Sequence, residues 1–199
     1  MKPQTLKHAA VLGAFCAVFG IVLAVTNVFT KDQIVLRAAE DLQKSLTQVI
    51  PPGLHDNDIG KNPIVLAGDD GAKVTVYRAT KKGRVTAVAY AIHCNGYGGP
   101  ITLMLGLDAE GKILGVRATE YKETPGLGDK IDTKKSNWIT RFTGLSLGNP
   151  PADRWKVKKD GGVFDQFSGA TITPRAVVGA IRGGLEFFAA HKTQMLETR

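Results

Sequence analysis

Cysteine is scarce in this 199-residue chain: Cys16 and Cys94 are the only two, and no Cys-x-x-Cys occurs. Cys16 falls inside a long apolar run, which leaves Cys94 alone in the remainder and no intrachain disulfide to be made there. The four histidines, His8, His55, His93 and His191, are scattered. Zinc, iron–sulfur and c-type haem sites therefore lack their ligand spacing. The Lys of a Walker A loop and the glycine spacing of a Rossmann fingerprint are also missing, so ordinary nucleotide binding is unsupported. No paired carboxylates or nucleophile–base pattern stand at a recognisable catalytic spacing.

Charge is missing from Ala9 to Phe29. Those 21 residues, at about 1.5 Å each, make a helix of roughly 31 Å, the hydrocarbon thickness of a bilayer. A signal peptide would have an apolar region of about 7–15 residues and a clearer cleavage site than Ala24-Val25-Thr26. The run reads as a retained membrane anchor. Phe15 before Cys16 argues against lipid attachment at that cysteine. Lys2 and Lys7 flank one end, whereas Lys31 is offset by Asp32 at the other, which favours a cytoplasmic N-terminus and an exported remainder. The net charge of +8 would otherwise raise nucleic acid as a partner. Export excludes it and turns attention to anionic lipid or acidic protein partners.

The order of segments reads as residues 1–8 cytoplasmic, 9–29 transmembrane, 30–52 a stalk helix and 53–199 one globular domain. Ile34, Ala38, Leu42, Leu46 and Val49 continue a helical period until Pro51-Pro52-Gly53 ends it. His55 to Pro63 reads as polar loop. Val74–Ala79, Arg84–Cys94, Ile101–Leu107 and Ile113–Thr119 are rich in Val, Ile, Thr and Tyr and are separated by glycine-containing turns, so they predict a four-stranded antiparallel meander. Asp129–Phe142 predicts a short amphipathic helix. Val177, Val178, Ile181, Leu185 and Phe188 mark a helix over the run from Arg175 to Leu196, with Thr173 as N-cap and Pro174 at its first position. Strands in a run followed by a packed helix give the α+β class.

Three loops stand out. Asp165-Gln166-Phe167-Ser168-Gly169-Ala170-Thr171 leads into the last helix, whose unpaired N–H groups and dipole favour a phosphate, and Gly169 and Ala170 leave room for one. Asn95-Gly96-Tyr97-Gly98-Gly99-Pro100-Ile101 and Glu120-Tyr121-Lys122-Glu123-Thr124-Pro125-Gly126-Leu127-Gly128 interrupt the meander. Their glycines let backbone approach a planar ring, and Thr124 and Leu127 offer a hydroxyl and an apolar face. The plainer alternative makes Pro125-Gly126 a type II turn, Gly98-Gly99 a bulge and Ser168–Thr171 a capped loop.

Gly-Tyr-Gly-Gly-Pro-Ile, then Glu-Thr-Pro-Gly-Leu-Gly, then Asp-x-x-Ser-Gly-Ala-Thr, in that order, resembles the FMN-binding domains of membrane electron-transport complexes. With its single N-terminal span the chain looks most like the G subunits of Rnf (Rsx) complexes, and it also resembles the C subunits of sodium-pumping NADH:quinone oxidoreductases. The resemblance implies FMN held by a phosphoester to Thr171, made by a flavin transferase that recognises a sequence including Asp165 and Ser168. It also implies a flavin groove formed in part by Glu123, Thr124, Pro125, Gly126, Leu127 and Gly128, flanked by Gly169 and Ala170, with Tyr97 as a further contact. Trp138 and Trp155 read either as core or as aromatic neighbours of the flavin. Lys156, Lys158 and Lys159 read either as a solvated face or as a draw for the flavin phosphate or an acidic partner.

The expected function is then that of an electron-relay subunit, its domain outside the cytoplasm in the periplasm, in a complex coupling ferredoxin/NAD-type electron transfer to ion movement. Other subunits supply the remaining redox centres and the channel. Two readings compete with it: a flavin-free binding or assembly module, and a free-standing flavin reductase.

Overall fold

A computed structural model describes residues 3–68 and 71–197. The chain divides into two compact units, Met1–Leu42 and Gln43–Arg199. Helix α1 runs over Pro3–Val49. Its N-terminal part exposes Val11, Phe15, Phe19, Ile21, Leu23 and Phe29, and its mean hydropathy reaches 2.5, so by length and composition it is able to cross a membrane.

The second unit is built on a five-stranded antiparallel sheet: β1 Ile64–Ala67, β2 Lys73–Lys81, β3 Arg84–Asn95, β4 Pro100–Asp108 and β5 Ile113–Glu120, paired in chain order. The expected four strands are β2 to β5. Strand β1 was missing from that expectation because four residues are too few to display alternation, and it sits at the sheet edge with half its side chains exposed.

Alternation sends Val88, Tyr90, Leu103, Leu105 and Val116 to one face, where they meet α2, Ile172–Leu196, through Val177, Val178, Ile181, Leu185 and Phe188. The Tyr90 hydroxyl donates to the Gly184 carbonyl at 2.7 Å, and a Cβ at Gly184 would stand 2.7 Å from Leu105 Cδ2. This helix lies that close because Gly184 carries no side chain.

On the other face Ala87, Ala89 and Met104 are buried, and Gly106 on β4 pairs with Gly115 on β5. These small residues make a notch. The last turn of α1 fills it: a Cβ at Gly106 would come within 2.6 Å of the Val49 carbonyl, and one at Gly115 within 3.1 Å of Val49 Cα. Leu46, Val49 and Ile50 are buried as a result. The end of the expected stalk thus belongs to the compact unit, which begins at Gln43.

Between β5 and α2 the chain forms short 3-10 turns at Gly128–Ile131, Ile139–Phe142, Ala152–Arg154 and Lys158–Asp160. The single helix expected over Asp129–Phe142 is replaced by the first two. Side chains compete for the backbone there: Asp132 Oδ1 accepts the Lys134 N–H, and Ser136 Oγ accepts the Trp138 N–H while donating to the Lys130 carbonyl. Trp138, Phe142, Trp155, Phe164 and Phe167 stack into one buried cluster beneath these turns, with ring centroids 4.7–6.2 Å apart. Both tryptophans are core, and neither lines the cleft described next.

Candidate functional site

Two tight turns of the same kind face each other. In Thr124-Pro125-Gly126-Leu127 the Leu127 N–H donates to the Thr124 carbonyl at 3.1 Å and Gly126 has φ +78°. In Phe167-Ser168-Gly169-Ala170 the Ala170 N–H donates to the Phe167 carbonyl at 3.2 Å and Gly169 has φ +77°. A glycine with positive φ at the third position is the type II pattern. The plain turn reading of Pro125-Gly126 therefore holds, and the turn also builds a wall. The turns meet where Leu127 Cδ2 stands 3.5 Å from a Cβ placed on Gly169.

Between them lies a cleft of about 280 Å³, lined by Tyr97, Glu123, Thr124, Leu127, Gly128, Gly169, Ala170, Thr171, Ile172 and Thr173. Eight of the twelve candidate residues line it directly. Pro125, Gly126 and Ser168 shape the two turns, and Asp165 anchors the loop from behind. The hairpin between β3 and β4 supplies Tyr97, which is 75% exposed at its tip. Gly98-Gly99 belongs to that hairpin turn rather than to a bulge: the Gly96 N–H donates to the Gly99 carbonyl, and Asn95 pairs with Pro100.

Helix α2 starts at Ile172, so the N-cap is Thr171, at φ −73° and ψ −28°. This corrects the expected start. Thr173 is fully buried, and its hydroxyl donates to Glu123 Oε2 instead of capping the helix. Thr171 makes no side-chain capping bond. A half-buried hydroxyl thus stands at a helix N-terminus, on the cleft wall, with no role in the helix itself. Ile172 and Thr173 are lining residues that sequence reasoning missed, because both were assigned to helix entry alone.

The loop before Thr171 is tied down at Asp165. Its Oδ2 accepts Arg141 at 2.6 Å, its Oδ1 meets Lys158, and its backbone carbonyl accepts the Trp138 indole N–H at 2.8 Å. Farther along, Arg175 on the first turn of α2 holds Asp160 through two bonds of 2.6 and 2.8 Å. The hydrogen bond from Lys158, with help from Arg141, holds the Asp165 carboxyl below the usual carboxylate range. A lowered folded pKa gives stability that is present above the unfolded value of about 3.9 and is lost as pH falls through the lower folded value. The Trp138 indole N–H resonance should therefore hold its position from neutral pH to below about 4, then move. Asp165→Asn should displace that resonance at neutral pH and change stability by no more than about 1 kcal/mol, because the pairs are partly exposed. An unmoved resonance in the variant would count against the anchor.

Cys94, half-buried behind the hairpin, has its thiol pushed up to about 11, first by burial and then by the Glu123 charge. It stays protonated and unreactive near neutral pH. Among the described residues no group of three or more His, Cys, Asp or Glu could hold a metal ion.

Residues 96–186 match the family model described as an FMN-binding domain, and residues 1–49 match the one described as the RnfG N-terminal region. The chain is 49% identical over 195 residues to the G subunit of the ion-translocating oxidoreductase complex of Cereibacter sphaeroides, covering 98% of this chain and 89% of the relative. To the G subunit of the same complex from Stutzerimonas stutzeri it is 46% identical, covering 96% and 84%. In three dimensions it resembles the crystal structure of the C subunit of the Na(+)-translocating NADH-quinone reductase from Parabacteroides distasonis, with a TM-score of 0.54 at 20% identity over 78% of this chain and 92% of that one. This last likeness is one of fold.

Proposed function

Because the chain belongs to the G-subunit family of ion-translocating oxidoreductase complexes, as an electron-transport subunit with an FMN-binding domain, we propose that it carries its FMN covalently, through a phosphoester to Thr171. The observation that carries this reading is the Thr171 hydroxyl: it lines the cleft at the start of α2 and is not spent on capping. A phosphoryl group on Thr171 Oγ1 would sit beside the positive end of the helix dipole and the open N–H groups of its first turn.

The residues present fit an amphipathic flavin nucleotide. Leu127, Ile172 and Tyr97 give apolar surface, the two type II turns allow close backbone approach, and Thr124 adds a hydroxyl. At about 280 Å³ the cleft lies near the lower end of the usual range of ligand sites, roughly 300–1,000 Å³. When bound, the isoalloxazine supplies the electron transfer. The chain's own part is to tether, orient and shield.

On this reading electrons pass through the flavin between other redox centres, and the complex couples ferredoxin/NAD-type transfer to ion movement. The flavin is installed by a transferase. The apolar part of α1 spans the inner membrane once, with the N-terminus in the cytoplasm and the FMN domain in the periplasm; the basic flank at Lys2 and Lys7 supports that orientation.

Intact mass tests the reading. The full chain, exported and co-expressed with a flavin transferase, is expected to gain the mass of FMN less one water, and fragmentation should place the gain on the peptide containing Thr171. An unmodified mass, with the transferase active on a control protein, would leave a flavin-free assembly module as the function.

A further inference from the structure

Glu123 is one of the few charged side chains the domain buries, at 7% exposure, and both of its oxygens are engaged by neutral donors. Those oxygens serve two different elements. Oε1 accepts the Gly98 N–H of the β3–β4 hairpin at 2.9 Å, and Oε2 accepts the Thr173 hydroxyl of α2, fifty positions away in sequence. The surrounding backbone has been cut back to admit it. A Cβ at Gly96 would overlap Oε1, one at Gly128 would overlap Oε2, and one at Gly98 would overlap the Lys122 carbonyl. No lysine or arginine lines the cleft, so the Glu123 carboxylate is the one charge on its wall among the described residues.

We infer that Glu123 is a positioning residue for the cofactor: its carboxylate clasps the hairpin carrying Tyr97 to the helix start carrying Thr171, and its charge lies on the cleft wall beside the ligand. This rests on the flavin reading above for the ligand, but the clasp itself is a property of the protein alone. A buried charge is costly unless its hydrogen-bonding capacity is met, so losing either donor or the acceptor loosens both walls together. Glutamine at this position keeps the volume but turns an N–H₂ group toward one of the two donors. An electron added to a neighbouring ring is disfavoured by a fixed negative charge nearby, and more so where little water screens it.

The test begins on the full-length, flavin-free protein in detergent micelles, by hydrogen exchange at the Gly98 amide. Glu123→Gln is expected to speed that exchange at least about tenfold, and Thr173→Val to speed it severalfold, with exchange in the middle of β4 unchanged. Thr173→Ser, which restores the hydroxyl, should return the rate to within about twofold of the parent. The double variant Glu123→Gln/Thr173→Val should exchange no faster than Glu123→Gln alone, because both break one clasp. A second readout uses flavin-loaded protein: Glu123→Gln should raise the flavin midpoint potential more than Thr173→Val, which keeps the charge. An unchanged Gly98 rate in Glu123→Gln, or multiplying effects in the double variant, would overturn the inference. Should Glu123→Gln fail to fold, the Thr173→Val and Thr173→Ser pair decides alone: no acceleration in the first overturns it. Failure of parent protein to gain flavin mass would instead defeat the covalent reading and leave the exchange result standing.

Discussion

Protein carrying Thr171→Ala is expected to emerge from export and transferase co-expression at its unmodified mass, with no flavin fluorescence surviving denaturation in a gel, while remaining as stable as its parent. The two halves of this result have separate causes. Loss of the hydroxyl removes the atom proposed to carry the phosphoester. Stability survives because Thr171 makes no capping hydrogen bond, so the usual cost of about 1 kcal/mol for deleting a cap does not arise. Thr171→Ser keeps an acceptor oxygen and should regain part of the flavin signal. Neighbouring hydroxyls sharpen the reading of any failure. Thr173 is buried and engaged with Glu123, whereas Ser168 and Thr124 are exposed, so flavin persisting on Thr171→Ala would move the attachment to one of those two hydroxyls.

Gly106→Val should produce the largest loss of stability, about 3 kcal/mol or more in urea denaturation of the full chain in detergent. Valine suits a strand, and local propensity alone would favour the change. Tertiary structure decides otherwise. The added carbons would occupy the place of the Val49 backbone, already within 2.6 Å of an ideal Cβ. Overpacking costs about 1–3 kcal/mol, and displacing the last turn of α1 would also uncover Leu46, Val49 and Ile50. Gly148→Ala is the control, since nothing lies within 4 Å of its Cβ position. An unchanged denaturation midpoint in Gly106→Val would show that the end of α1 is not seated in the notch.

Much of this was legible in the residue order, and the exceptions share a cause. Strands β2 to β5 and the body of α2 follow from β-branched runs and from the spacing of Val177 to Phe188, both local signals. The flavin groove was implied by the family resemblance and not by the residues alone; the structure brings the turns at Gly126 and Gly169 face to face across one cleft, and flavin in it remains the proposal. What escaped depends on distant partners. The Thr173 hydroxyl reads as a cap until Glu123 is seen to claim it, and Ile172 reads as mere helix entry until the cleft wall is in view. Gly106 and Gly115 look like ordinary strand glycines until their register brings them together under Val49. Trp138 and Trp155, open to two readings in sequence, were settled as core by a cluster whose members span Trp138 to Phe167. Helical periodicity over Asp129–Phe142 lost to the side chains of Asp132 and Ser136.

The lack of any lysine or arginine among the described residues of the cleft wall, set against the buried Glu123, has a bearing on supply. Free FMN is a phosphate dianion, and a wall with one carboxylate and no cation gives it little to hold; the helix start alone offers about half a positive charge. On the covalent reading, occupancy is then decided once, when the bond is made, and not by an equilibrium with the surrounding pool of flavin. On that reading a protein that misses its attachment holds FMN only weakly and reversibly, and one that receives it keeps the same molecule. The stoichiometry of flavin in the assembled complex becomes a record of how maturation kept pace with synthesis.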